Sequence, residues 1–347
     1  MGLKRVTQKD VAEVAGVHRT TVCLALRNHP GIPAETREKI RAIADRLGYA
    51  PDPMLTALAN YRTRLRPQAF QGGLAWLVNS AGGYVWDRFP HYRDYYQGAV
   101  SRARHHGYNL ETIDLNARGM SSRRMGAILR ARNIQGVLLC PQPQASMVMR
   151  FPWENLSAVT FGYTLAEPRL HTVTASHHRN TVRCMRELRR RGYNRIGYAF
   201  SELHDLRTDQ NFLAAYLAEE MGYSGRAPRV PVFTDTYRRS SEKVVAWIKR
   251  HRPDAIITGE YEALDRLRVF ENRIPDKLGI VCPTLPGKSR GLSGVFEDSI
   301  HMGEVAVDAL VSAIQRGEKG VPEQPRYILV EGLWNEGESL RAAPSET

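Results

Sequence analysis

A chain of 347 residues exceeds what one hydrophobic core usually serves, so more than one domain is expected, with enough buried surface to dispense with disulfide or metal staples. The formal charge of +13 is uneven: residues 1–66 carry 12 Lys plus Arg against 6 Asp plus Glu, whereas the other 281 carry 37 against 30. Such density at one end fits a nucleic-acid partner as well as it fits a solvated basic surface. Cys23, Cys140, Cys184 and Cys282 lack metal-ligand spacing, and no apolar run nears the roughly twenty residues of a membrane span. With no secretory pattern before the first helix, the chain reads as cytoplasmic and reduced, without a membrane partner.

Thr7, with Asp10 three residues on, predicts a capped helix in which Val11, Ala12, Val14 and Ala15 recur at helical spacing. Gly16 makes the turn into a second short helix, whose buried face is Val22, Ala25 and Leu26. His18, Arg19, Thr20, Cys23 and Leu24 fall on or near the opposite side, the arrangement of a helix-turn-helix reading the major groove; an ordinary helical hairpin would share the pattern. Thr36, Arg37, Ile40, Ile43, Ala44 and Leu47 predict a third helix closed by Gly48. Pro51-Asp52-Pro53 then stops regular structure, and residues 54–61 could form one more short helix, marginal unless it finds a partner.

From Gly72 the pattern changes to short apolar runs alternating with amphipathic ones: 74–78, 95–106, 110–113, 125–132, 137–140 and 158–161, then 181–191, 196–200, 212–221, 230–233, 242–251, 255–258 and 278–281. That βαβ rhythm implies two lobes with parallel sheets. Dinucleotide, phosphate-loop and nucleophile-elbow motifs are missing, which disfavours an enzyme, and no cofactor is expected. His105-His106 and His177-His178 read as structural, because adjacent helical side chains point apart and cannot share a metal.

The words Val6-Thr7, Asp10-Val11-Ala12, Ala15-Gly16-Val17, Thr21-Val22, Thr36-Arg37 and Leu47-Gly48-Tyr49, with Pro51 behind them, resemble the lac repressor family of bacterial transcription regulators. Weaker similarity continues in 191–198 and 253–257. The resemblance implies an α/β protein with a three-helix head (1–50), a hinge helix and linker (51–71), and a two-lobed core (72–347) like periplasmic binding proteins. The lobes would be discontinuous: about 72–167 plus 294–325, and about 168–293 plus 326–341, with 328–333 adding to the second.

By position, Arg19, Thr20 and Leu24 match base-reading residues, and Thr7, His18, Thr21, Arg27 and Asn28 match phosphate contacts. Leu58 matches the hinge residue that wedges into the minor groove. The family's usual Ser-Arg is Cys23-Leu24 here, so an arginine that often reads bases gives way to an apolar contact suited to a thymine methyl. In the cleft, Glu260-Tyr261 and Cys282-Pro283-Thr284-Leu285 replace polar pairs common in the family. Candidate effector contacts are Asn79, Trp86, Arg207, Glu260 and Tyr261, with Tyr84 and Phe89 as further aromatics that either stack on a sugar ring or cover the lobe edge. The expected function is a homodimeric regulator, most simply a repressor, on a near-palindromic DNA operator under control of a sugar-like small molecule. The rival is an α/β small-molecule-binding protein or enzyme whose N-terminal helices form a protein-interaction module.

Overall fold

The computed structural model describes residues 6–26, 31–49, 71–223, 228–235 and 241–343. Arg27, Asn28 and the expected hinge helix with Leu58 lie outside the described residues.

In the head, α1 (Gln8–Ala15), α2 (Arg19–Leu26) and α3 (Ala34–Arg46) close over Val11, Ala12, Val22, Ala25, Ile40, Ile43 and Ala44. Thr7 and Asp10 form the capping box, and Gly16 takes the left-handed conformation (φ 66°) that turns α1 into α2. Val14, expected among the apolar positions of α1, is exposed.

The remainder builds on two sheets. The first has the order β12-β7-β5-β3-β1-β2 and is parallel throughout: β1 (Gly72–Val78), β2 (Tyr108–Asp114), β3 (Ile134–Leu139), β5 (Ser157–Phe161), β7 (His171–Ala175) and β12 (Tyr327–Val330). A two-stranded pair, β4 (Met147–Val148) and β6 (Leu165–Glu167), stands apart. Strand β1 lies between two neighbours and is buried along its whole length, which explains its unbroken apolar run. The second sheet has the order β13-β11-β10-β9-β8, with β8 (Ile196–Ala199), β9 (Ala255–Thr258), β10 (Gly279–Leu285) and β11 (Ser293–Phe296) parallel and β13 (Leu333–Asn335) antiparallel.

Helices α4 (Pro90–His105) and α5 (Ser122–Ala131) serve the first sheet, while α6 (His177–Arg190), α7 (Glu202–Arg207), α8 (Asn211–Gly222), α9 (Glu242–His251) and α10 (Ala263–Arg266) serve the second. Helix α11 (Ser299–Arg316) returns to the first lobe and packs on α4.

The chain crosses between sheets at Ser176, at Glu297-Asp298 and at Glu331-Gly332. These points correct the expected lobe limits. Strand β7 stays in the first sheet, β11 carries the second sheet past Gly294, and residues 328–330, expected in the second lobe, pair with β7 in the first. Only Leu333–Asn335 crosses over. Gly332 permits this last switch: a Cβ there would sit 2.2 Å from Val295 Cγ1.

The α4–α11 contact sets how rigid the first lobe is. A Cβ on Gly98 would lie 1.9 Å from the Ile300 carbonyl oxygen, and one on Gly303 would lie 2.0 Å from that of Tyr95, so the two backbones touch. Arg102 donates to both oxygens of Asp308 (2.7 and 2.8 Å), fixing the register between the two helices. Gly98→Ala should force them apart and lower stability by about 1–3 kcal/mol, the usual range for overpacking, in denaturant unfolding. An unchanged midpoint would mean that the helices separate freely.

Candidate functional site

The outward face of α2 carries Arg19 and Thr20, both exposed, with Cys23 and Leu24 half-buried beside them; Val22 and Ala25 on the other face are buried. His18 precedes the helix and its Nδ1 accepts from the Thr20 amide (3.3 Å), which leaves Nε2 as the ring's outward donor. Thr21 is half-buried. The Thr7 hydroxyl donates to Asp10 Oδ2 (2.7 Å) and accepts from the Asp10 amide (3.4 Å), so it is engaged in the cap.

Between the two sheets lies a cavity of ≈ 960 Å³. Tyr84, Phe89, Tyr92 and Tyr95 wall it from the first lobe, in consecutive ring contacts of 5.6, 5.2 and 5.9 Å. Tyr163 and Thr174 add hydroxyls, and Ser201, Glu202, His204, Arg207 and Tyr261 face it from the second lobe. Aromatic faces interleaved with a few polar groups are the usual lining of a small-molecule site.

Of the five expected effector residues, Arg207 and Tyr261 line this cavity, whereas Asn79, Trp86 and Glu260 do not. Asn79 is buried and tied into its own lobe, donating to Gln142 Oε1 (2.9 Å) and accepting from the Ala81 amide (3.2 Å). Trp86 packs inward against Trp76 (5.6 Å) and Tyr96 (5.4 Å). Glu260 is buried, with its amide on Thr258 Oγ1 (3.2 Å). Tyr84 and Phe89 do line the cavity.

The cavity floor holds a group that no local pattern in the sequence marks. Glu297, buried at the second crossover, accepts from Asn180 Nδ2 (3.2 Å) and Thr284 Oγ1 (2.9 Å) and pairs with His177 Nδ1 (3.2 Å). Burial by itself would raise its pKa; the His177 hydrogen bond and charge, together with the nearby His91 and the Thr284 bond, outweigh it and hold the carboxyl below its ordinary range. Asn180, just past the first crossover, also accepts from the Gly332 amide at the third (3.3 Å), and the Ser176 amide donates to the Val330 carbonyl (2.9 Å). One polar joint thus links all three crossovers. Burial pushes His91 down, and its Nδ1 lies 3.0 Å from Ser299 Oγ at the start of α11.

Residues 7–52 match the family model of lacI-family bacterial regulatory proteins, and residues 185–339 match that of periplasmic binding protein-like domains. The chain is similar to the lac repressor family in its N-terminal head. It is a DNA-binding transcriptional regulator and not an enzyme. The HTH-type transcriptional regulator PtxS of Pseudomonas plecoglossicida is 25% identical over 323 residues, 90% of each chain. Among solved structures, the transcriptional regulator CelR in complex with cellobiose aligns with a TM-score of 0.56 at 20% identity, covering 96% of this chain and 100% of that one. The lac repressor dimer bound to operator and the anti-inducer ONPF aligns at 0.55 and 17%, covering 97% and 99%. At these identities the two structures speak for the fold.

Among the described residues, Asp205 is a buried acid whose charge no cation offsets. Asp205 on α7 accepts from the Tyr198 hydroxyl through Oδ1, while Oδ2 has no partner among the described residues. Burial raises its pKa from 3.8 to about 6, opposed only by the Tyr198 bond. A carboxyl whose folded pKa lies above its unfolded value stabilises the fold when protonated, so stability falls as pH rises from about 4 to about 6 and is level above that. Asp205→Asn keeps an acceptor for Tyr198 and removes the charge. Its thermal midpoint should exceed that of the unsubstituted chain at pH 7.5, with the gap narrowing at pH 5; a gap independent of pH would show that Asp205 does not titrate there.

Proposed function

We propose that this regulator binds a near-palindromic operator as a homodimer, acting as a repressor, and that a neutral, sugar-like effector occupying the interlobe cavity sets its grip on DNA. The observation carrying the DNA half is the exposed Arg19-Thr20 end of α2, set against a face buried in the head. Arg19 can fork onto a guanine, Leu24 can meet a thymine methyl, and Thr20 can bond to either base type. His18 Nε2 and Thr21 would hold phosphates, together with Arg27 and Asn28 from the segment that follows. Thr7 would contact the backbone through the exposed start of α1 while keeping its cap. Leu58 would be the minor-groove wedge of the paired hinge segments. One head makes few contacts, so two half-sites related by a twofold axis are needed for useful affinity.

The effector half draws on the aromatic wall and the hydroxyls of Tyr95, Tyr163, Thr174 and Tyr261, which suit the faces and edges of a sugar ring. Cellobiose bound to CelR is a ligand of this chemical kind. The division into head (1–50), hinge (51–71) and sensing core (72–347) follows from the same reading, with a cytoplasmic location to match.

The test uses the full chain and an operator selected from random duplex. Affinity should fall steeply with salt, and Arg19→Ala should lose roughly 1–3 kcal/mol with relaxed preference at one base position. Equal losses on every duplex would reassign Arg19 to phosphate, and no duplex binding at low salt would overturn the reading.

A further inference from the structure

Arg207 spends its guanidinium on the opposite lobe. Standing at the last turn of α7 in the second lobe, it donates through Nη1 to the Gln142 carbonyl (2.8 Å) and the Pro143 carbonyl (2.6 Å). Through Nη2 it donates to the Tyr92 hydroxyl (2.9 Å). All three acceptors belong to the first lobe, and none is a carboxylate.

Both ends of this contact are held firmly. On the first-lobe side, Gln142 stands between Pro141 and Pro143, with its amide on Thr164 Oγ1 (2.7 Å). Its side chain donates to the Cys140 carbonyl (2.7 Å) and accepts from Asn79 (2.9 Å). The carbonyls that receive Arg207 therefore cannot swing after it, and this is the use the structure makes of Asn79. On the second-lobe side, Ser201 caps α7 through the His204 amide (3.3 Å), and Asp205 anchors the same helix to Tyr198 on β8. Two lobes joined only at one edge by three crossovers would otherwise open by rotation about that edge.

We propose that Arg207 is a latch that holds the two lobes together across the cavity through its fork onto first-lobe acceptors. Charged donors on well-placed carbonyls make stronger hydrogen bonds than neutral ones, and a fork fixes an angle as well as a distance. The latch also reaches the paired helices of the first lobe, because Tyr92 lies on α4, which packs against α11. In its consequence for DNA the latch rests on the effector reading above; in its geometry it does not.

The experiment is hydrogen–deuterium exchange on the full chain without ligand or DNA, paired with small-angle X-ray scattering. Arg207→Ala should raise exchange on the order of tenfold in peptides spanning 84–92 and 140–145 of the first lobe and enlarge the radius of gyration. Tyr92→Phe removes one acceptor of three and should give a smaller rise at the same places; it also serves if Arg207→Ala does not fold. Arg207→Lys keeps the charge but lacks the fork and should behave like the alanine variant. If exchange rises only within α7, Arg207 merely finishes its own helix, and the latch is overturned; an unchanged scattering profile overturns it too. Failure of the effector reading looks different: no sugar in a thermal-shift screen stabilises the unsubstituted chain, while the exchange difference between it and Arg207→Ala remains.

Discussion

The buried Glu297 carboxylate is the interaction on which the two-lobed core depends. A bare carboxylate in that position would cost several kcal/mol, and removing one partner from such a group usually costs more than the pair contributes. His177, Asn180 and Thr284 satisfy it, and through Asn180 the same network reaches Gly332 at the third crossover. Three chain passages that share one fully bonded polar joint can act as a hinge with a defined axis instead of three independent loops. The cavity opens directly above this joint, with Glu297, His177 and Thr284 in its floor.

From the joint, α11 leads directly into the first lobe. Helix α11 begins right after Glu297, its Ser299 meets His91 at the start of α4, and the two helices then run in backbone contact past Gly98 and Gly303. Their register is clamped by Arg102 and Asp308. A ligand that changes the angle between lobes would therefore turn α4 and α11 together. Strand β1, which begins at Gly72, lies in the sheet on which this pair packs.

Legibility followed the range of the physics. The head was readable because each of its signals is local: Thr7 and Asp10 are three residues apart, Gly16 announces a left-handed turn, and Val22 with Ala25 marks one face of a helix. The βαβ rhythm was readable for the same reason. Strand allegiance was not, because the run 327–335 is apolar on both sides of Gly332 and nothing in it says that Tyr327–Val330 pairs with one sheet and Leu333–Asn335 with another. The cavity was the least readable part. Asn79 has the chemistry of a ligand contact but serves Gln142 instead, and Trp86 is claimed by Trp76. Glu297 meets His177 across 120 positions, a distance over which neither residue carries a periodic mark.

On the proposed function, occupancy of the cavity and grip on DNA are two readings of one equilibrium. Its most direct test is calorimetric: the dissociation constant of a cavity ligand found by thermal shift, measured on the full chain with and without saturating operator duplex. Linkage requires the two constants to differ, by about 5- to 150-fold for coupling of ordinary size, and requires the same factor in operator affinity when the ligand is saturating. Identical constants, with both partners bound at once, would contradict the account.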